Sequence, residues 1–278
     1  MSRLVFLDEA KTEAKRHGHP ILSVGGVSVE QADLCIVEDR WRTEKEGRGL
    51  AGLDLRYAMS WPEESTQRLE MIKVIASLPL KQGVVALLED FRPPELQLDK
   101  EKRKDLYVHG GCFDFVLQRL RAPQYEPGPG GHVVLFDHGD HFRELDRKYR
   151  DQHDLRRLPW GAEWPSLRDK GYSESLAATA GGPLNEIADL VVGTVTRWAA
   201  CRCGEDRGMD IAESPELAQA CRAVLPLFPT STSIPPRWTG WSFVVFKEPR
   251  TEGRQLKTSL DGWLSEVRNA PDSAAIPF

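Results

Sequence analysis

The chain has 278 residues, 40% of them hydrophobic, and a formal net charge of -5 at pH 7. The acidic balance excludes a histone-like basic protein, and the hydrophobic fraction is sufficient to close a core, which excludes a largely disordered chain. The longest apolar stretch near the N-terminus, residues 4–7, is far shorter than a signal-peptide core or a membrane span. We therefore expect a soluble, cytoplasmic protein with no membrane partner.

Five cysteines are scattered through the chain. A chain of this length does not need disulfides for stability, so we expect reduced thiols. Only two of the five lie close together, as a Cys-x-Cys pair without the further ligands of a structural zinc module. Buried or incidental thiols are therefore favoured over a zinc site. The five are Cys35, Cys112, Cys201, Cys203 and Cys221.

The first third of the chain has the pattern of three strands and two helices. Apolar runs predict strands over residues 4–7, 21–29 and 52–59. Apolar residues at helical spacing predict a helix or long turn over residues 34–41. A second helix is predicted over residues 69–76, after a start signal at residues 60–63.

The middle of the chain alternates strands with helices. Strands are predicted over residues 84–88 and 132–137, and helices over residues 106–120, 142–149 and 182–200. The last helix has Pro183 at its start and the longest apolar stripe. This alternation predicts an α/β layer fold over residues 1–200. Residues 201–278 are expected to form a C-terminal extension that packs on this domain.

Four aspartates each end an apolar run or border an apolar helical stripe, where a carboxylate is costly unless something pairs with it. They are Asp8, Asp54, Asp137 and Asp189. Glu9 is a weaker candidate, because consecutive residues of a strand point to opposite faces. Carboxylates that converge from neighbouring strands and one helix would hold two hard divalent cations, which can cleave a phosphodiester. Each acid taken singly could instead begin a turn or cap a helix.

The same acids and their neighbours carry a family resemblance over about residues 4–200. The chain resembles the bacterial family catalogued as domain of unknown function 3800. The motifs similar to that family are Phe6-Leu7-Asp8-Glu9-Ala10, Val24-Gly25-Gly26-Val27, Asp54-Leu55-Arg56, Leu135-Phe136-Asp137 and Glu186-Ile187-Ala188-Asp189-Leu190. The chain departs from the family at Ala10, Asp54, Arg56 and Glu186, where Ser, Glu, Lys and Gln are usual.

This resemblance implies a ribonuclease H-like fold, in which helices flank a central mixed sheet that carries the acids at its middle. It also implies a metal-dependent nuclease that acts on DNA or RNA with two Mg or Mn ions. The implied metal ligands are Asp8, Asp54, Asp137 and Asp189, with Glu9 as a secondary one. Arg56 would touch the scissile phosphate.

Other polar and aromatic signals have alternative explanations. His138 and Asp140 could relay a proton or ligate a metal beside Asp137, or cap the following helix. Basic residues at 100–104 and 143–157 are interleaved with acids, which favours solvated helix faces over a nucleic-acid groove. Five tryptophans could stack on bases but are more typical of core or interface packing. They are Trp160, Trp164, Trp238, Trp241 and Trp263.

Two functions from different classes stay open. One is the metal-dependent nuclease. The other is a binding or assembly component that keeps the fold without catalysis and docks a protein partner through residues 201–278. Nucleotide hydrolases, dehydrogenases, serine hydrolases and zinc proteases are disfavoured, because the sequence lacks their loop and nucleophile motifs.

Overall fold

The computed structural model describes residues 3–12, 21–58, 64–89, 116, 132–137, 174–179, 182–205, 214–239, 241–247 and 255–270. The strands are β1 (Arg3–Lys11), β2 (Ile21–Glu30), β3 (Gln82–Glu89), β4 (His132–Asp137), β5 (Glu174–Thr179) and β6 (Phe243–Lys247). The α-helices are α1 (Leu34–Gly47), α2 (Glu64–Ser77), α3 (Pro183–Glu205), α4 (Pro215–Val224) and α5 (Gln255–Asn269). Single 3-10 turns precede α1 and follow α4.

The six strands of the described residues form one mixed sheet in the order β5-β4-β1-β2-β3-β6. Strand β2 runs antiparallel to β1 and β3, whereas the other neighbouring pairs are parallel. Strands β1 and β2 therefore lie at the centre of the sheet. Their continuous apolar runs are typical of strands covered on both faces, and β2 is buried over nearly its whole length. The predicted α/β class, with a mixed sheet flanked by helices, is confirmed.

Helix α3 lies across one face of β1 and β2 and forms the centre of the core. A buried hydrogen bond of 2.5 Å joins the hydroxyl groups of Ser23 on β2 and Thr196 on α3. Ser23 pairs with Ala10 in the β1–β2 register. Since side chains alternate along a strand, Asp8 lies on the same face as Ala10 and faces α3. The sheet and this helix thus bring two of the predicted acids to one side of the core.

The described residues after position 200 belong to the same layers. Helix α3 runs through position 200 without a break, and α4 packs against α2 and α3. Strand β6 joins the sheet beside β3, and α5 contacts α3, α4 and β6. Trp238 and Trp263 are buried in the core, as expected for aromatic residues in this region. None of the helices in the described part of the chain combines the length and hydropathy of a membrane span.

Most of the predicted elements that fall on described residues are confirmed, but two predictions near the N-terminus are wrong. The strand predicted over residues 52–59 is not found in its described part, since residues 52–58 form an irregular loop. Gly49 and Gly52 adopt φ values of 70° and 75°, which turn the chain and break an extended pattern. The first strand extends well past residue 7, so Asp8 lies within β1 and does not end it.

Four of the described elements, β5, α4, β6 and α5, have no counterpart among the predicted strands and helices. The predicted helices over 106–120 and 142–149 lie outside the described residues, apart from Val116.

Candidate functional site

The loop over residues 50–58 brings three of the predicted site residues together. Leu50 and Leu55 are fully buried and anchor the loop in the core. Between Asp8 and Asp54, the Arg56 guanidinium contacts both carboxylates. Its Nε donates to Asp54 Oδ2 at 3.2 Å, and its Nη1 lies 3.5 Å from Asp8 Oδ2. The Asp8 side chain is 11% exposed and that of Asp54 is 61% exposed, so Arg56 joins a buried acid to a solvated one.

Asp189 holds the next residue of the same loop. Its Oδ2 accepts a hydrogen bond from the backbone N–H of Tyr57. One turn further along α3, a Cβ atom at Gly193 would lie 2.5 Å from Cγ of Tyr57, so the absence of a side chain lets the ring rest on the helix. Asp189 and Gly193 together seat the loop on α3 and thereby set the position of Arg56.

The β1–β4 register brings Asp137 to the same region of the sheet. Leu7 pairs with Phe136, so Asp8 and Asp137 occupy the next positions along the two adjacent strands. Glu9 points to the opposite face from Asp8, because side chains alternate along β1. Glu9 therefore does not join the group around Asp8. His138, Asp140 and both basic clusters lie outside the described residues.

A buried ion pair, which the sequence pattern did not reveal, supports the loop from α1 and α3. The Lys45 ammonium lies 2.8 and 2.9 Å from the two carboxylate oxygens of Glu186, and Trp41 Nε1 donates to Glu186 Oε2 at 2.7 Å. Lys45 also donates to the carbonyl oxygen of Leu53 in the loop. Glu186 is one of the departures from the family motif. An acid where Gln is usual was the signal that could have pointed to a buried basic partner.

Tyr57 is held between this loop and helix α2. The guanidinium carbon of Arg68 lies 4.8 Å from the centroid of the Tyr57 ring, and its Nη1 donates to the Tyr57 carbonyl oxygen at 3.2 Å. Burial raises the pKa of Tyr57 to about 12, against the opposing effects of Arg68 and Arg197. The phenol therefore keeps its proton at neutral pH and can donate a hydrogen bond, but it is not a base.

The acids offer the oxygen donors that Mg and Mn prefer. Among the residues that the structure describes, however, no three His, Cys, Asp or Glu side chains are grouped closely enough to hold a metal ion. The cation between Asp8 and Asp54 is the Arg56 guanidinium, and Asp189 is engaged by a backbone amide. The chemistry of the donors thus suits a divalent ion, while the described contacts satisfy the same carboxylates with protein groups.

The four described thiols do not add a site. Cys35 is exposed, whereas Cys201, Cys203 and Cys221 are buried, and no disulfide joins these four described cysteines.

The chain matches no protein-family model and no curated protein. Its assignment to the family catalogued as domain of unknown function 3800 therefore stays a prediction based on the motifs quoted above.

Proposed function

We propose that this chain is a divalent-metal-dependent phosphodiesterase with a ribonuclease H-like fold, and that its substrate is DNA or RNA. One observation carries the proposal: the loop over residues 50–58 links motif residues from three separate segments. Arg56 contacts the carboxylates of Asp8 and Asp54. Asp189 binds the backbone N–H of the next loop residue, Tyr57. Asp8 comes from β1, Asp54 and Arg56 from the loop, and Asp189 from α3. Acids on a central strand of a mixed sheet, with a helix packed over them, are what the resemblance to the ribonuclease H-like fold implies.

The residues have different roles in this proposal. Asp8 and Asp137, at neighbouring positions of β1 and β4, would hold the metal together with Asp54. The ion, when bound, supplies Lewis acidity that activates water and stabilises the leaving oxygen. Arg56 would bind the substrate phosphate, because a guanidinium can donate two parallel hydrogen bonds to phosphate oxygens. Asp189 would act as a positioning residue through the Tyr57 amide.

Cleavage assays test this proposal. The protein is incubated with labelled single-stranded DNA, double-stranded DNA, RNA and an RNA-DNA hybrid, in Mg, Mn or EDTA. We expect metal-dependent cleavage of at least one substrate. Asp8→Asn and Asp137→Asn should each reduce it by at least about 100-fold, since losing even an outer partner of a metal ligand costs 10- to 100-fold.

Asp39→Asn is the matched control, because Asp39 is an exposed acid of α1 that pairs with Arg42. It should leave cleavage unchanged, and thermal melting should show that all three variants are folded. Full activity in both the Asp8 and Asp137 variants would contradict the proposal, as would equal activity in EDTA.

A binding or assembly component without catalysis is the second candidate, and the Arg56 contacts favour it. A guanidinium between Asp8 and Asp54 already balances one of the two negative charges that a metal would otherwise balance. Such a component would dock a protein partner through residues 201–278. Calorimetric titration with Mn separates the two candidates. No binding at millimolar Mn supports the binding component, whereas binding that disappears in Asp137→Asn supports the enzyme.

A further inference from the structure

A cavity of about 160 Å³ lies next to the loop, between α2, α3 and the first turn of α4. Its volume is several times the roughly 30 Å³ that one water molecule occupies in the liquid. Five of its lining residues are polar or charged. They are Tyr57, Arg68, Arg197, Ser214 and Glu216. Two guanidinium groups against one carboxylate give the cavity wall a net charge of +1, in a chain whose overall charge is negative.

Arg68 is held in place before any ligand arrives. Its guanidinium stacks on the Tyr57 ring and donates from Nη1 to the Tyr57 carbonyl oxygen. A guanidinium has five N–H donors in a rigid fork, so further donors remain for a ligand in the cavity. A side chain fixed in this way loses little conformational entropy on binding.

Two further lining residues offer hydroxyl donors. The Ser214 hydroxyl oxygen accepts from the backbone N–H of Leu217 at 3.1 Å, which caps α4 and leaves the hydroxyl proton to be donated. Tyr57 brings a protonated phenol from the loop. Donors of this kind, arranged around two guanidinium groups, match the acceptor oxygens of a phosphate.

We propose that this cavity binds a phosphate group, with Arg68 and Arg197 as its cationic partners. A phosphodiester carries one negative charge, and a free phosphate or nucleoside monophosphate carries about 1.5 to 2 at neutral pH, so a wall of net charge +1 attracts each of them. The phosphate therefore belongs either to a nucleic-acid strand or to a free phosphate or nucleoside monophosphate. The site is separate from the acids around Asp8, and its occupancy does not depend on the proposed nuclease activity.

Calorimetric titration of the full chain in EDTA, at constant ionic strength in chloride, tests this proposal. The probes are inorganic phosphate, a nucleoside monophosphate and a short single-stranded oligonucleotide. We expect at least one probe to bind, and Arg68→Gln to weaken that binding by about tenfold or more, as the loss of a hydrogen bond to a charged group does. Binding of either small probe identifies a free phosphate as the ligand, and binding of the oligonucleotide alone identifies a backbone phosphate.

Arg42→Gln is the matched control, since it removes the same charge from an exposed position of α1. It should bind the probes as the unaltered protein does. If Arg68→Gln does not fold, Arg68→Lys serves instead, because it keeps the positive charge but lacks the planar set of guanidinium donors. This variant should also bind the probes more weakly than the unaltered protein does. The proposal is overturned if no probe binds the unaltered protein, or if folded Arg68 variants bind every probe as tightly as the unaltered protein does. Because metal is absent throughout, these results are independent of whether the chain cleaves nucleic acid.

Discussion

Lys45→Met removes the cation from the buried ion pair with Glu186 and keeps a side chain of similar length. The Glu186 carboxylate, whose side chain is 8% exposed, then keeps the hydrogen bond from Trp41 Nε1 but loses both contacts with the ammonium. Removing one partner of a buried ion pair costs about 3 to 5 kcal/mol, because the other charge stays buried without compensation. We expect the free energy of unfolding to fall by that amount, measured by urea denaturation with tryptophan fluorescence.

Adding Glu186→Gln to Lys45→Met should recover much of this loss. The amide oxygen of glutamine can still accept from Trp41, and no charge is left buried. The remaining cost, about 1 to 2 kcal/mol, comes mainly from the lost hydrogen bond between Lys45 and the Leu53 carbonyl. The double variant should therefore be about 2 to 3 kcal/mol more stable than Lys45→Met alone.

Lys73→Met provides the control on the surface. Lys73 pairs with Glu70 at 2.8 Å, but both side chains are more than 40% exposed, so its loss should cost less than about 0.5 kcal/mol. The reasoning fails if Lys45→Met costs no more than Lys73→Met, or if the double variant is no more stable than the single one.

Two further predictions concern Tyr57. Gly193→Ala would place a methyl group 2.5 Å from Tyr57 Cγ and should cost about 1 to 3 kcal/mol, whereas Gly262→Ala on α5, with nothing within 4 Å, should gain up to about 1 kcal/mol. Urea denaturation measures both, and equal effects would show that the ring does not pack on α3. Because burial raises the pKa of Tyr57 from 10.0 to about 12, the folded state favours the protonated phenol. This preference stabilises the folded state fully below pH 10. The stabilisation is lost as the pH rises towards 12, and about 1 kcal/mol of it is lost at pH 11. Urea denaturation at pH 9 and pH 11 measures this loss. Between these two pH values the free energy of unfolding should fall further in the unaltered protein than in Tyr57→Phe, and an equal fall in both proteins would contradict the prediction.

Elements with a strong local signal could be predicted from the sequence. Helix α3 has a proline in its first turn and a long apolar stripe, and β2 is an apolar run rich in β-branched residues, so neither depends on distant partners for its pattern. The loop over residues 50–58 could not be predicted in this way. Leu53 and Leu55 alternate as in a strand, but the positive φ values at Gly49 and Gly52 override that pattern.

The grouping of the candidate site was partly foreseeable. The family motifs predicted which acids belong together, and the structure places Asp8, Asp54 and Asp189 around one loop. Their immediate partners were not foreseeable, because they depend on how that loop is held. The Lys45–Glu186 pair joins residues 141 positions apart. The acid at position 186 could indicate a basic partner, but nothing local to it shows that the partner is Lys45.

The position of β6 has a consequence for how the protein is made. Strand β3 ends at Glu89, but its partner on the outer side, β6, begins about 150 residues later, at Phe243. At roughly 5 to 20 residues per second, a ribosome needs roughly 8 to 30 seconds to reach it. During this interval the outer edge of β3 lacks its final partner, and such an edge can pair with another nascent chain. Slower translation between the two strands would lengthen the period in which the unfinished chain is most prone to aggregate.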